Sequence, residues 1–245
     1  MTDLRRAPVA RTDRSRLSGV AKVVMPGCLA LLTVATFVAR AGDVPLADLL
    51  RDTTTTLDAP SYIGLVSNAG ILLWAACTTI CLFTATVLSR TRRPAVGTGA
   101  GAAPDTGASA GAGFFLAGAG VSAWLLLDDA LLLHEQVLPD YLGLPGELSL
   151  VVLACATLAF LIAHRRTVLA GDYPLLITAL VLLAISAGID QLYDLHLIGA
   201  LFLHSDALET LIEDSFKLFG IAFWSSYFAL AAHDRLVRPE ASTTS

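Results

Sequence analysis

The chain has 245 residues, of which 55% are hydrophobic and only 15% charged, and its mean hydropathy is +0.69. Such a composition excludes an ordinary soluble domain and places the chain in the membrane class. The net charge of −5 says little as an average, because basic and acidic residues separate by segment.

Residues 1–19 are a basic arm carrying Arg5, Arg6, Arg11, Arg14 and Arg16, with Lys22 just beyond. The apolar run that follows is too long for a signal peptide and lacks a small-residue cleavage site. A hydrocarbon core of about 30 Å takes roughly 20 helical residues, and six apolar stretches qualify: 20–40, 61–88, 113–135, 147–164, 174–195 and 208–232. Arg90, Arg92 and Arg93 follow the second stretch, Arg165 and Arg166 the fourth, and Arg235 and Arg238 the sixth. The other connections are acidic, with Asp43, Asp48, Asp52 and Asp58, then Asp140 and Glu147, then Asp206 and Glu209. Arginine-rich loops stay in the cytoplasm, so the sequence predicts an all-α, polytopic membrane helix bundle of six transmembrane helices, N-in and C-in. A bacterial inner (cytoplasmic) membrane is the expected location.

The predicted organisation is a cytoplasmic arm (1–19), a two-helix front half (20–88), a flexible Gly-Ala-Ser linker (89–112), a four-helix back half (113–235) and a cytoplasmic tail (236–245). A short surface helix is expected near residues 46–57, where leucines recur at helical spacing. Cys28, Cys77, Cys81 and Cys155 all fall in apolar segments without paired loop spacing, which reads as packing rather than a disulfide framework.

Ionisable residues inside spans are costly and face a bundle interior or a water-filled cavity, so each is a candidate for function. The third stretch ends with Asp128, Asp129, His134 and Glu135; the fifth with Asp190, Gln191, Asp194 and His196; the sixth opens with Glu209, Glu213, Asp214 and Lys217. At about 100° per residue, Asp128 and Glu135 share a face, as do Asp190 and Asp194, and Glu209, Glu213 and Lys217. Counted at about 1.5 Å per residue from the span ends, Asp128, Asp190 and Glu213 reach one layer below the outer interface. An acid, a polar neighbour and a histidine recur at the same offsets in 128–134 and 190–196, as a parallel duplication of a helix pair would produce. Apart from Lys22, Lys217 is the only lysine, and Glu213 or Asp214, four and three residues earlier, are its expected partners. His164, His204 and His233 read as surface histidines, and Trp124 and Trp224 as packing residues.

Seven carboxylates, from Asp128, Asp129, Glu135, Asp190, Asp194, Glu213 and Asp214, stand against one lysine and two histidines in this layer. They cannot all remain ionised in a low dielectric; some must be protonated, hydrated or neutralised by a bound cation. A divalent metal ion is the simplest device, with Asp128, His134, Asp190, Asp194, His196, Glu213 and Asp214 as candidate ligands. Mixed carboxylate and imidazole ligands suit zinc, manganese or iron, and carboxylates with water suit calcium or magnesium.

The patterns Leu-Asp-Asp-x-x-x-x-His-Glu, at Asp128, Asp129, His134 and Glu135, and Glu-Asp-x-Phe-Lys-x-x-Gly, at Glu213, Asp214, Phe216, Lys217 and Gly220, resemble those of an uncharacterised family of bacterial multi-pass membrane proteins. The resemblance covers the back half of the chain and implies a shared site without naming a reaction. In site style alone the cluster is similar to membrane-embedded zinc hydrolases of the alkaline ceramidase and adiponectin-receptor type, which have seven spans and a His-x-x-x-His pair absent here. A lone lysine in the last span is similar to retinal proteins, which also have seven spans.

Three readings follow. One is a metal-dependent hydrolase acting on a lipid or other amphiphile from the outer leaflet, with Asp129, Glu135 and Lys217 as candidate catalytic residues. Another is a cation- or proton-coupled transporter or channel, against which the nearly apolar cytoplasmic halves of the spans count. A non-catalytic sensor or assembly protein is the third. Expected partners are membrane lipids and a lipid or small-molecule substrate, with no nucleic acid.

Overall fold

The computed structural model describes residues 57–58, 60, 62–90, 106–194 and 206–237, together with 26, 29–30, 32–34 and 36–42; at 106–110, 193–194 and 206–210 it describes the backbone alone. Among these residues the fold is all-helical. One unit comprises residues 1–63 and a second residues 64–245. Within the first, Leu32–Ala41 is a short apolar helix. The expected surface helix at 46–57 lies outside the described residues apart from a turn at Leu57.

The second unit contains α1 (Leu65–Arg90), α2 (Thr106–Leu131), a π-helix (Leu133–Tyr141), α3 (Glu147–Ala163), α4 (Arg165–Ala170), α5 (Tyr173–Asp194) and α6 (Asp206–Val237). Among the described residues, four helices are long and apolar enough to cross a membrane: Leu65–Arg90, Gly111–Leu131, Tyr173–Leu192 and Leu211–Val237. Helix α3 is apolar but has 17 residues, roughly 25 Å of helix.

Two boundaries differ from expectation. Helix α2 begins at Thr106, inside the segment expected to be flexible linker, because its low-complexity stretch is rich in alanine, the strongest helix former. At its other end α2 stops at Leu131, where Leu132 turns left-handed at φ 51°. The backbone then continues as a π-helix, with Val137 N–H donating to the Leu132 carbonyl at 3.1 Å. Pro139 lies inside this segment and has no N–H to give the His134 carbonyl five residues earlier. Gly146 packs on that carbonyl, leaving no room for a Cβ.

Helix α1 packs against α2 and α6, and α6 against α5. Trp74, Trp224, Tyr227, Phe114 and Phe228 form the centre of the core, each nearly sealed from solvent. Phe114 also stacks edge-on against His164, with ring centroids 5.6 Å apart, so that histidine caps an aromatic cluster rather than standing free at the surface. Cys77 and Cys81 are fully buried between helices, as packing residues should be, whereas Cys155 is exposed; Cys28 lies outside the described residues. Trp124 is 41% exposed.

Close helix approach depends on two glycines. A Cβ at Gly118 would meet the Phe228 ring at 2.5 Å, and one at Gly220 would meet Leu183 Cγ at 2.8 Å and its backbone nitrogen at 3.1 Å. Because a backbone atom cannot move aside, Gly220→Ala is expected to destabilise the protein by about 1–3 kcal/mol. Gly120→Ala, where a Cβ meets nothing within 4 Å, should be neutral or slightly stabilising through helix propensity. Thermal unfolding of both variants in detergent checks the contrast; equal effects would remove the packing role assigned to Gly220.

Candidate functional site

The end of α2 delivers two consecutive aspartates, and about 100° of helical rotation sends them to different neighbours. Asp129 faces α1 and α6. Its Oδ1 lies 2.8 Å from the Lys217 ammonium, and its Oδ2 accepts a 2.9 Å hydrogen bond from the Trp74 indole N–H. The indole of Trp74 meets that of Trp224 edge-on at 6.1 Å, and Trp224 donates to Ser122 Oγ at 2.9 Å. Cys77 Sγ lies 3.5 Å from the same hydroxyl.

Lys217 therefore does not take Glu213 or Asp214 as its salt-bridge partner. Sequence spacing identifies acids on the lysine's own helix; the ammonium instead reaches across to a carboxylate that is already held by an indole. A small cavity, about 20 Å³ and lined by Ser67, Asp129, Asp214 and Lys217 among others, adjoins the pair and has room for about one water.

Asp128 is 4% exposed and faces α3. Its Oδ2 lies 2.7 Å from His134 Nδ1, and its Oδ1 accepts a 3.3 Å hydrogen bond from the Ser149 hydroxyl. A carboxylate can only accept, so the proton of the neutral imidazole sits on Nδ1 and the lone pair on Nε2. Nε2 is 3.6 Å from Glu135 Oε1. His134 lies beyond the end of its span, and its pKa is raised above the ordinary 6.5 by the hydrogen bond to Asp128, against the opposing effect of burial, with further support from the charges of Asp128, Glu135 and Asp190.

Of the remaining candidates, Glu135, Asp190, Glu213 and Asp214 are described with their side chains. Asp190 and Asp214 act electrostatically on half-buried Glu213, and Glu135 and Glu213 on Lys217. The side chain of Asp194, and His196 and His204 altogether, lie outside the described residues, as do Asp43, Asp48 and Asp52. Among the described residues, no group of three or more His, Cys, Asp or Glu side chains is gathered closely enough to hold a metal ion. Asp128, Asp129, His134 and Lys217 are engaged with one another instead.

Sequence reasoning missed Trp74, Ser149 and Gly146. A buried indole N–H needs a partner, which marks Trp74 as a donor in search of an acceptor. Ser149 is a hydroxyl flanked by leucines at the start of α3. Neither signal identifies the helix it will meet.

The chain belongs to the family described as Domain of unknown function (DUF8692), which matches residues 27–231. No curated protein and no solved structure matches the chain.

Raising the His134 pKa on folding stabilises the protein fully below the unfolded value near 6.5, and this contribution is lost as pH rises through the raised value. The stability difference between the wild type and His134→Gln should accordingly be largest near pH 5 to 6 and shrink in alkali. Thermal unfolding across pH checks this; a gap that grows with pH would contradict the pairing with Asp128.

Proposed function

We propose that this is a six-span protein of a bacterial inner membrane, with both termini cytoplasmic, carrying an outward-facing acid–base site that hydrolyses a lipid or other amphiphile. The alternation of arginine-rich and acidic segments supports the topology, with Leu32–Ala41 part of the first span and α3 the short fourth. One observation carries the chemical reading: the 2.7 Å bond that holds His134 Nδ1 against buried Asp128 and leaves Nε2 as a base.

In this reading Asp128 fixes the tautomer and stabilises the imidazolium, the role a buried carboxylate plays beside any catalytic histidine. His134 Nε2 takes a proton from water, the hydroxide so formed attacks the carbonyl or phosphoryl centre, and the same proton passes to the leaving group as its bond breaks. Glu135, 3.6 Å from Nε2, sits where it can orient that water. Asp129 and Lys217 hold the helix end from which Asp128 projects.

The carboxylates outside these pairs, Glu135, Asp190, Glu213 and Asp214, with Asp194 and His196, are the donors left for a divalent metal ion. Zinc, manganese, iron or calcium bound there would supply Lewis-acid polarisation. A second reading, proton- or cation-coupled transport, is favoured by the water-sized cavity beside Asp214 and Lys217, a place where a proton can be handed on.

Right-side-out and inverted membrane vesicles, offered chromogenic ester, amide and phosphodiester lipid analogues, separate these readings. Hydrolysis is expected in right-side-out vesicles only, rising with pH as His134 loses its proton, and falling on the order of 10²–10⁴-fold in His134→Gln. Turnover unaffected by His134→Gln, or confined to inverted vesicles, would contradict the proposal.

A further inference from the structure

Helices α3 and α5 are held apart along their length by a groove of about 650 Å³, within the range of about 300–1,000 Å³ typical of small-molecule sites. Its walls are mostly apolar, with Leu150, Ala154 and Leu158 on one side, Leu183 and Ala187 on the other, Trp224 at its base and Thr157 the one hydroxyl along them. The polar ends of its lining are Glu147, at the first residue of α3, and Gln191, near the last turn of α5. Both belong to the end of the bundle where Ser149 meets Asp128 and Asp128 meets His134.

This polarity matches one kind of occupant. From Glu147 to Leu161 the lining of α3 runs roughly 21 Å, longer than the roughly 15 Å of a single leaflet's hydrocarbon. An acyl chain fills such a groove from end to end, with its headgroup left at the acidic mouth. Charge decides which headgroup. The sequence has neither Lys nor Arg between Arg93 and Arg165, nor between Arg166 and Lys217. Lys217 is engaged by Asp129 and His134 by Asp128. Glu147 stands at the mouth, Asp190 precedes Gln191, and Glu135 and Asp190 are close enough to act on His134. Among the described residues of the second unit, a net anionic headgroup meets these acids without a free cation, whereas a cationic amine complements them.

We propose that the groove between α3 and α5 seats the acyl chain of an outer-leaflet lipid whose headgroup carries a cationic amine, placing that headgroup beside His134. This rests on the acid–base reading of His134 only for the fate of the lipid; the binding stands without it.

The test uses the full chain in native membranes and two photoactivatable probes with identical acyl tails, one with an ethanolamine and one with a glycerol phospholipid headgroup. Adducts are expected on α3 and α5 residues of the groove, with the ethanolamine probe favoured about tenfold, the factor given by 1.4 kcal/mol. Ala187→Trp fills the groove and should abolish them. Glu147→Lys, an exposed position outside the packed core, should shift the preference to the glycerol probe and keeps the test valid if the tryptophan variant fails to fold. Equal labelling by both probes, labelling that survives Ala187→Trp, or groove positions that crosslink to a protein helix of the same or another copy would overturn the proposal. His134→Gln should retain labelling. Labelling without hydrolysis in the wild type would sink the catalytic reading alone, and hydrolysis without groove labelling would sink this one alone.

Discussion

Asp129 and Lys217 are charges that an apolar layer cannot hold separately, and their 2.8 Å contact is the constraint from which the rest of the second unit follows. Leaving either one alone in hydrocarbon costs several kcal/mol. Because Asp129 comes from α2, Lys217 from α6 and the indole donor Trp74 from α1, satisfying the pair sets the register of three helices at once. The edge-on contact of Trp74 with Trp224 carries that register into the aromatic core. Gly118 and Gly220 then allow the approach that the polar contacts require.

The neighbouring aspartate applies the same logic to the outer hairpin. Asp128 turns toward the π-helix and α3, whose His134 and Ser149 satisfy its two oxygens. One Asp-Asp pair thus divides its work between the bundle and the hairpin, and the left-handed turn at Leu132 brings His134 back toward the carboxylate six residues earlier. Without that turn, a continuous helix would place residues 128 and 134 about 120° apart around its axis and more than a turn and a half along it, too far round to meet. The acid–base geometry is therefore a consequence of the helix ending where it does.

The apolar stretches at 61–88, 147–164, 174–195 and 208–232 were legible from hydropathy alone, since each is a run of side chains that water rejects, and α1, α3, α5 and α6 fall on them within a few residues. That Asp128, Asp129 and Lys217 need partners was legible as well, because ionised groups in apolar runs demand an explanation. Their partners were not. Spacing along one helix pointed Lys217 to Glu213 and Asp214, but a salt bridge between helices depends on rotation and register that no single helix encodes. The face shared by Asp128 and Glu135 assumed a helix continuing past Leu131, and Pro139 with Gly146 made the backbone do otherwise. The alanine content that read as flexible linker is also what lets α2 start at Thr106.

A double-mutant cycle on Asp129 and Lys217, read by thermal unfolding in detergent, tests the central claim most directly. Lys217→Met and Asp129→Asn should each destabilise the protein by on the order of 3 kcal/mol by stranding the other partner, while the double variant should cost clearly less than their sum. Strict additivity would contradict the account, because it would mean that the two charges do not depend on one another.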